Sequence, residues 1–236
     1  LQALVDFGQK VGSYISARED DVLEAMWEHA SKIIDADNMY VALYDQPADT
    51  VWFGLAYVDG QRIDVDNDPK WQPRQAGTGR TEEIIRTKQA IFLPSMQDCE
   101  DWYGADPKRK EYVGQMLPSW MGVPMVVGDK VIGVVAAYHP TNEYVYSKDD
   151  QELLQALANQ TAIALDNVRM YYDINRRLET LIEAGQALTS KVSLTEEEIL
   201  QQVYTEARQL MDTNNLYIAF YDAATDQVRF PLAYIE

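Results

Sequence analysis

Ser119, His139 and Asp149 supply the three residue types of a hydrolytic triad. None sits in the strand-turn-helix context that presents a nucleophilic serine, so the trio carries no catalytic assignment. Metal chemistry is equally thin. Cys99 is the only cysteine, and His29 and His139 are the only histidines, which excludes a cysteine-based zinc site and a disulfide framework. The acidic run 64–68, DVDND, offers hard oxygen ligands. Pro69 stands where a calcium loop needs glycine, and Gln75 where it needs a bidentate glutamate, so the run reads as a solvated loop. No metal, cofactor or catalytic group is expected.

The chemistry that remains is recognition. Trp71, Arg74, Thr78, Arg80, Trp102, Tyr103 and Tyr112 fall in one long polar region. Large rings can stack on a planar ligand, an arginine can pair with its anionic group, and amides near Thr78 can face an anion at a helix start. Ser119, Tyr138 and His139, at strand ends, join them as candidate ligand-binding residues. The competing expectation is a lid packed on itself, its arginines paired with Asp98, Glu100 or Asp101. The words GTGR at 77–80 lack the spacing and lysine of a phosphate loop.

These side chains need a scaffold. Residues 21–34 carry apolar positions at helical spacing, from Val22, Leu23 and Met26 to Ile33 and Ile34. Strands follow at 38–44 and 51–58 around a polar turn. After the long loop come a short helix at 81–87, a short strand at 90–93, an acidic and aromatic stretch at 94–104, and a helix at 107–116. A hairpin spans 120–127 and 131–138 about Gly128 and Asp129. A long helix then starts near Asp149, capped by Ser147 or Asp149. From Ala164 its apolar residues narrow to a seam through Val168, Tyr171, Ile174, Leu178, Leu181 and Leu188, spacing that suits a coiled-coil-like dimer helix.

The opening is then written again. Residues 1–59 align without a gap on 178–236, with 21 identities among 59 positions, including Asp35/Asp212, Tyr40/Tyr217, Asp45/Asp222 and Tyr57/Tyr234. A repeat of 177 residues is a tandem domain rather than a solenoid unit.

Bulk properties narrow the class. The chain has 38 acidic against 20 basic residues, a net charge of −18, which disfavours nucleic acid and anionic membranes as partners. An apolar fraction of 47% is enough for an ordinary core. There is no bilayer-length apolar run and no signal-like opening, so a cytoplasmic location is expected.

Three segments now carry a family likeness: GTGRTEEIIRTKQAIFLPS at 77–95, SWMGVPMVVGDKVIGVVAAYHP at 119–140 and YSKDDQELLQALANQTAIALDNVRMY at 146–171. In this order they resemble the GAF family over residues 1–171, and 178–236 resemble the opening third of another copy. The resemblance implies an α/β (α+β) fold: a twisted, mostly antiparallel sheet with helices on both sides. It adds a long connecting helix at 149–190, shared between the two units, and a partial second copy. It further implies a regulatory rather than catalytic module, fragment of a signalling protein such as a histidine kinase or cyclic-di-GMP enzyme. Such a module senses a small molecule, forms a homodimer through the helix and passes the signal to a downstream domain. The alternative is a ligand-free dimerisation and spacing module. Bilin attachment is disfavoured by the residues around Cys99, and sulfoxide reduction by the single thiol. A cyclic-nucleotide signature is met only partly at Asn142–Glu143, Tyr146 and Asp150–Gln151.

Overall fold

A computed structural model describes residues 18–111, 116–190 and 195–235. The chain divides into two compact units, Leu1–Arg169 and Met170–Glu236.

The first unit opens with α1 (Glu19–Ala30), whose buried Val22, Leu23, Ala25, Met26 and Ala30 form one apolar face. Its first turn is acidic, and the Asp21 carboxylate accepts the Arg18 N–H at 3.0 Å, satisfying an orphan donor at the positive helix end. Strands β1 (Met39–Asp45) and β2 (Thr50–Val58) pair antiparallel, Met39 opposite Tyr57, with an irregularity between Val41 and Ala42. Short pairings by β3 (Gln61–Arg62) and β4 (Arg74–Gln75) flank β2. Then come α2 (Arg80–Thr87), β5 (Ile91–Leu93), α3 (Met96–Gly104), β6 (Ser119–Val127), β7 (Lys130–His139) and α4 (Lys148–Ser190). Sheet order is β3-β2-β1-β7-β6-β5, with β4 beside β2, and every pairing is antiparallel.

Strand alternation sorts the side chains into two layers. Met39, Val41, Leu43, Met121, Val123, Val135 and Ala137 face α1 and the first half of α4, where Leu154, Leu157, Ala158, Leu165 and Val168 close the main core. Full burial of each such leucine is worth roughly 1.5–3 kcal/mol. On the other face Ile84 of α2 packs with Trp120, Val134, Ala136 and Tyr138. Close approach of β7 to β1 requires Gly133, because a Cβ there would lie 2.4 Å from the Ala42 carbonyl oxygen.

The expected elements of this unit are present, with two differences. The stretch 94–104 forms a helix, α3: Ser95 caps it by accepting the Asp98 N–H, a signal an acidic run obscures. The helix expected at 107–116 is a short 3-10 turn at Pro107–Glu111; residues 112–115, with Tyr112, lie outside the described ones.

The second unit contains the later part of α4, then α5 (Glu196–Leu210), β8 (Asn215–Asp222) and β9 (Gln227–Ile235). Its hairpin matches that of the first at an offset of 177 residues in register as well as in sequence. Leu216 pairs with Tyr234 as Met39 does with Tyr57, and the register breaks between Ile218 and Phe220, the corresponding place. Trp27 stacks on Tyr57 with centroids 3.7 Å apart, and Tyr204 on Tyr234 at 3.7 Å. The Tyr44 hydroxyl donates to Asp49 at 2.9 Å, and Tyr221 to Asp226 at 2.9 Å, both aspartates at positive φ. Burial repeats at Leu23 and Leu200 but not along the strands. Val51 is fully buried while Val228 is 53% exposed, and Leu43 is 2% exposed against 38% for Phe220.

Candidate functional site

The sheet face that carries α2 holds a cluster of large rings. Tyr40 of β1, Phe53 of β2, Trp120 of β6 and Tyr138 of β7 share that side because cross-strand neighbours point the same way. Over them the loop after β3 folds into a 3-10 turn, Pro69–Trp71, where the Asp68 carboxylate accepts the Lys70 N–H at 2.9 Å. This drives Trp71 inward to 5% exposure. Its ring meets Phe53 edge-on at 4.9 Å and Tyr40 at 5.9 Å. Tyr40 lies 6.5 Å from Tyr138, and its hydroxyl shares a 2.9 Å hydrogen bond with the Thr81 hydroxyl in the first turn of α2. Burial, reinforced by the charge of Asp59, pushes the Tyr138 phenol up, so it stays protonated and able to donate.

Arg80 is the charged centre of this face. It is 7% exposed, with its guanidinium 4.8 Å over the Trp120 ring and 5.7 Å over the Tyr103 ring, and Nη1 3.9 Å from the Cys99 sulfur. A buried cation held between rings is a strong electrostatic feature in a low-dielectric setting. Arg74 forms an ion pair with Glu82, which is almost fully buried. Arg109 lies 4.0 Å over Trp102, donates to its carbonyl at 2.8 Å and approaches Glu83 at 3.4 Å. The partners of these arginines include Glu82, Glu83 and aromatic rings, and Asp98 is engaged with the Ser95 hydroxyl.

Of the ten residues singled out for ligand binding, Trp71, Arg80, Tyr103 and Tyr138 meet on this face. Arg74 borders it at Phe53, 5.9 Å from the ring. Trp102 reaches it through an edge-on contact with Tyr103 at 5.0 Å. The Thr78 hydroxyl donates to the Lys108 carbonyl at 2.9 Å, tying the two lid loops together. Ser119 and His139 stand apart from this group. They are opposite each other in the β6–β7 pair, in phase with Met121 and Ala137 rather than with Tyr138, and so belong to the α4 side. His139 Nδ1 accepts the N–H groups of Thr141 and Asn142 at 3.2 and 2.9 Å, closing the turn that follows β7. Tyr40, Phe53, Trp120 and Glu82 were not singled out. Trp120 was recoverable, because the Gly128–Asp129 turn sets it opposite Tyr138.

The seam of α4 divides in two. Ala164 and Val168 are buried in the main core, so their place on a free dimer face is corrected. Tyr171, Ile174, Leu178 and Leu181 are exposed at 38–58%, and Leu188 lies in the helix with its side chain outside the described ones. Among the described residues no cluster of histidine, cysteine and carboxylates has metal-binding proximity. None of the described helices is long and apolar enough to cross a membrane.

With this geometry in hand, the chain can be set beside known proteins. A family model described as "GAF domain" matches residues 18–165, more than half of the chain. The formate hydrogenlyase transcriptional activator FhlA of Escherichia coli (strain K12) is 26% identical over 124 residues, 52% of this chain and 18% of that protein. The circadian input-output histidine kinase CikA of Thermosynechococcus vestitus is 20% identical over 186 residues, 75% of this chain and 25% of that protein. The chain thus spans a quarter or less of these relatives. Among solved structures, the GAF domain of an Acinetobacter phosphoenolpyruvate-protein phosphotransferase superposes with TM-score 0.52 at 15% identity, covering 72% of this chain and 93% of that one. Residues 122 to 287 of a methyl-accepting chemotaxis protein give 0.53 at 16%, covering 70% and 97%.

Proposed function

The chain belongs to the GAF domain family, and on that premise we propose that its first unit senses a small planar ligand bearing an anionic group. Membership makes it a signalling module of a regulatory rather than a catalytic kind. The observation that carries the ligand reading is Arg80, a buried cation set between Trp120 and Tyr103 on the sheet face that Trp71 covers. Such a ligand parts Trp71 from Phe53 and Tyr40, stacks in its place and takes a charge-assisted hydrogen bond from the guanidinium. The lid loops then shift against α2, and α4 carries the change to an output domain. FhlA is a transcriptional activator and CikA a histidine kinase; we take this chain to serve a comparable regulatory protein in the cytoplasm. Two copies join along the exposed α4 seam, and residues 178–236 form the opening of a second GAF unit, a reading supported by the shared register and stacks.

Two measurements test this. A thermal-shift screen of planar anionic metabolites should give a saturable rise that Arg80→Lys, which keeps the charge but loses the fork, weakens at least about tenfold. For the dimer, the double variant Leu178→Glu/Leu181→Glu should sediment as a monomer at micromolar concentration where the unchanged chain is a dimer.

A second reading, a ligand-free dimerising spacer, is favoured by one observation: the rings already touch and Trp71 is buried. It prevails if no compound in the screen shifts the transition while the dimer persists.

A further inference from the structure

Where the β1–β2 and β6–β7 turns approach α2, the first unit has a cavity of about 570 Å³, in the range of small-molecule sites. Trp71, Arg80, Tyr103 and Tyr138 are not among the residues that line it, so it is distinct from the aromatic face. Glu82 is among them. This side chain is 3% exposed; Arg74 holds its Oε1, while the buried Oε2 accepts no hydrogen bond from the described residues. A buried carboxylate oxygen without a donor is unfavourable, and a donor supplied from the cavity relieves it.

The charges around the cavity are sorted by sign. Glu82 and Asp49 stand at one end, joined through the β4 segment: Arg74 pairs with Glu82, and the Ala76 N–H donates to the Asp49 carbonyl at 3.0 Å. At the other end are Arg86, one turn further along α2, and Lys88 and Lys130. Asp129 is the carboxylate on that side, and Lys88 donates to its backbone carbonyl. Counting the ion-pair partners Arg74 and Glu83 does not erase the difference. Asp49 keeps the first end negative, and two lysines against Asp129 keep the second positive. Strands β2 and β7 flank β1, which sets Asp49, at the head of β2, two strand spacings or about 10 Å from Lys130. Ile85, between Glu82 and Arg86 on α2, and Val131 add apolar wall.

We propose that this cavity is a ligand site in its own right and takes a short ω-amino acid, a zwitterion whose ammonium and carboxylate are held apart by methylenes. The ammonium donates to Glu82 and Asp49, the carboxylate accepts from Lys88 and Lys130, and the methylenes lie against Ile85 and Val131. An α-amino acid carries both charges on one carbon and does not span the two ends. A plain amine leaves the lysines unanswered, and a plain carboxylate leaves Glu82 without its donor. The site stands whether or not the aromatic face binds anything.

The test titrates the intact chain with 5-aminopentanoate in a calorimeter. Saturable binding is expected, with pentylamine, pentanoate and glycine each about tenfold weaker or worse, because each forfeits a charge-assisted contact. Glu82→Gln, which keeps the size of the side chain and removes its charge, should weaken the zwitterion about tenfold. Lys130→Gln should do the same from an exposed position where the change leaves folding intact, so it decides the matter if the buried variant fails to fold. Hydrogen exchange with the zwitterion present should slow in the turns at 46–49 and 128–131. Absence of binding at millimolar concentration overturns the proposal. Equal binding by pentylamine, pentanoate or glycine does so too, as does unchanged affinity in Lys130→Gln. Protection confined to the loop around Trp71 places the zwitterion on the aromatic face and also overturns it.

Discussion

Tyr146 shows how one side chain ties the first unit together and how that tie depends on pH. It is 4% exposed, and its hydroxyl donates to the Asp35 carbonyl at 3.0 Å, joining the segment before α4 to the end of the α1 region. Burial first, then the charges of Asp35 and Asp37, raise its phenol far above the ordinary tyrosine value of about 10. A folded-state pKa raised above the unfolded one gives stability that is complete below the unfolded value and is lost as pH rises through the window between them. Tyr57 is raised in the same direction, by burial and then by Glu24, so both erode together. Urea titrations should show stability falling above about pH 10. Tyr146→Phe should lower stability at neutral pH by about 1 kcal/mol, the lost hydrogen bond, and flatten the alkaline decline. An unchanged slope above pH 10 in that variant would count against the argument. Residues of this kind mark the limit of sequence reading. The apolar spacing of α1 was legible because burial repeats with the helical period, and the β6–β7 hairpin because the Gly128–Asp129 turn lies between two apolar runs. The loop position of Trp71 was legible only as a type. Its burial depends on the Asp68 cap and on two strands distant in sequence, and no local period encodes that.

At the scale of elements, the two units satisfy one glutamate differently. In the first, Arg169 of α4 grips Glu19 at the start of α1 with two hydrogen bonds of 2.8 and 2.9 Å, and its guanidinium lies 5.9 Å over Trp52. In the second, the equivalent Glu196 is gripped by Arg229, which stands in β9 where Trp52 stands in β2. That hydrogen bonding holds the Glu196 carboxyl below its usual range. The first unit therefore draws its cation from the covering helix, and the second from its own sheet. Arg169 acts as a latch on the last turns of α4 in the first unit. Arg169→Gln should cost about 1 kcal/mol or less, since the pair is partly exposed. It should speed exchange of the amides at 162–169 by about two- to five-fold while leaving β6 and β7 unchanged. Adding Trp52→Arg to that variant gives Glu19 a cation from β2, as in the second unit. If the latch argument holds, the helix amides stay fast even though the charge is paired again. Restoration of slow exchange by the double variant would reduce Arg169 to charge balance alone.

The molecule as a whole is one domain of high internal completeness joined by a 43-residue helix to a unit whose hairpin matches that domain's opening. The likeness of the two hairpins was legible from the 177-residue repeat, because identities at turn aspartates and paired tyrosines fall where the backbone needs them. What the repeat could not reveal was the difference in burial. The same residue type at the same place, Val51 and Val228, is fully covered in one unit and half exposed in the other, because cover comes from other elements. A two-stranded hairpin with one helix is marginal in water, whereas β1 and β2 belong to a seven-stranded sheet closed by helices on both faces. Local opening should follow that difference. In native buffer, amides of β8 and β9 should exchange at least about a hundredfold faster than those of β1 and β2, a gap of about 2.7 kcal/mol in opening free energy. The experiment is cleanest with Leu178→Glu/Leu181→Glu present, so that the association proposed for α4 protects neither hairpin, and with the sheet of the first unit as internal reference. Position-by-position comparison then has a built-in control, since each amide of β8 has a counterpart 177 residues earlier with the same register. Equal protection of Leu216–Asp222 and Met39–Asp45 in that monomer would mean the second unit holds its own without further strands.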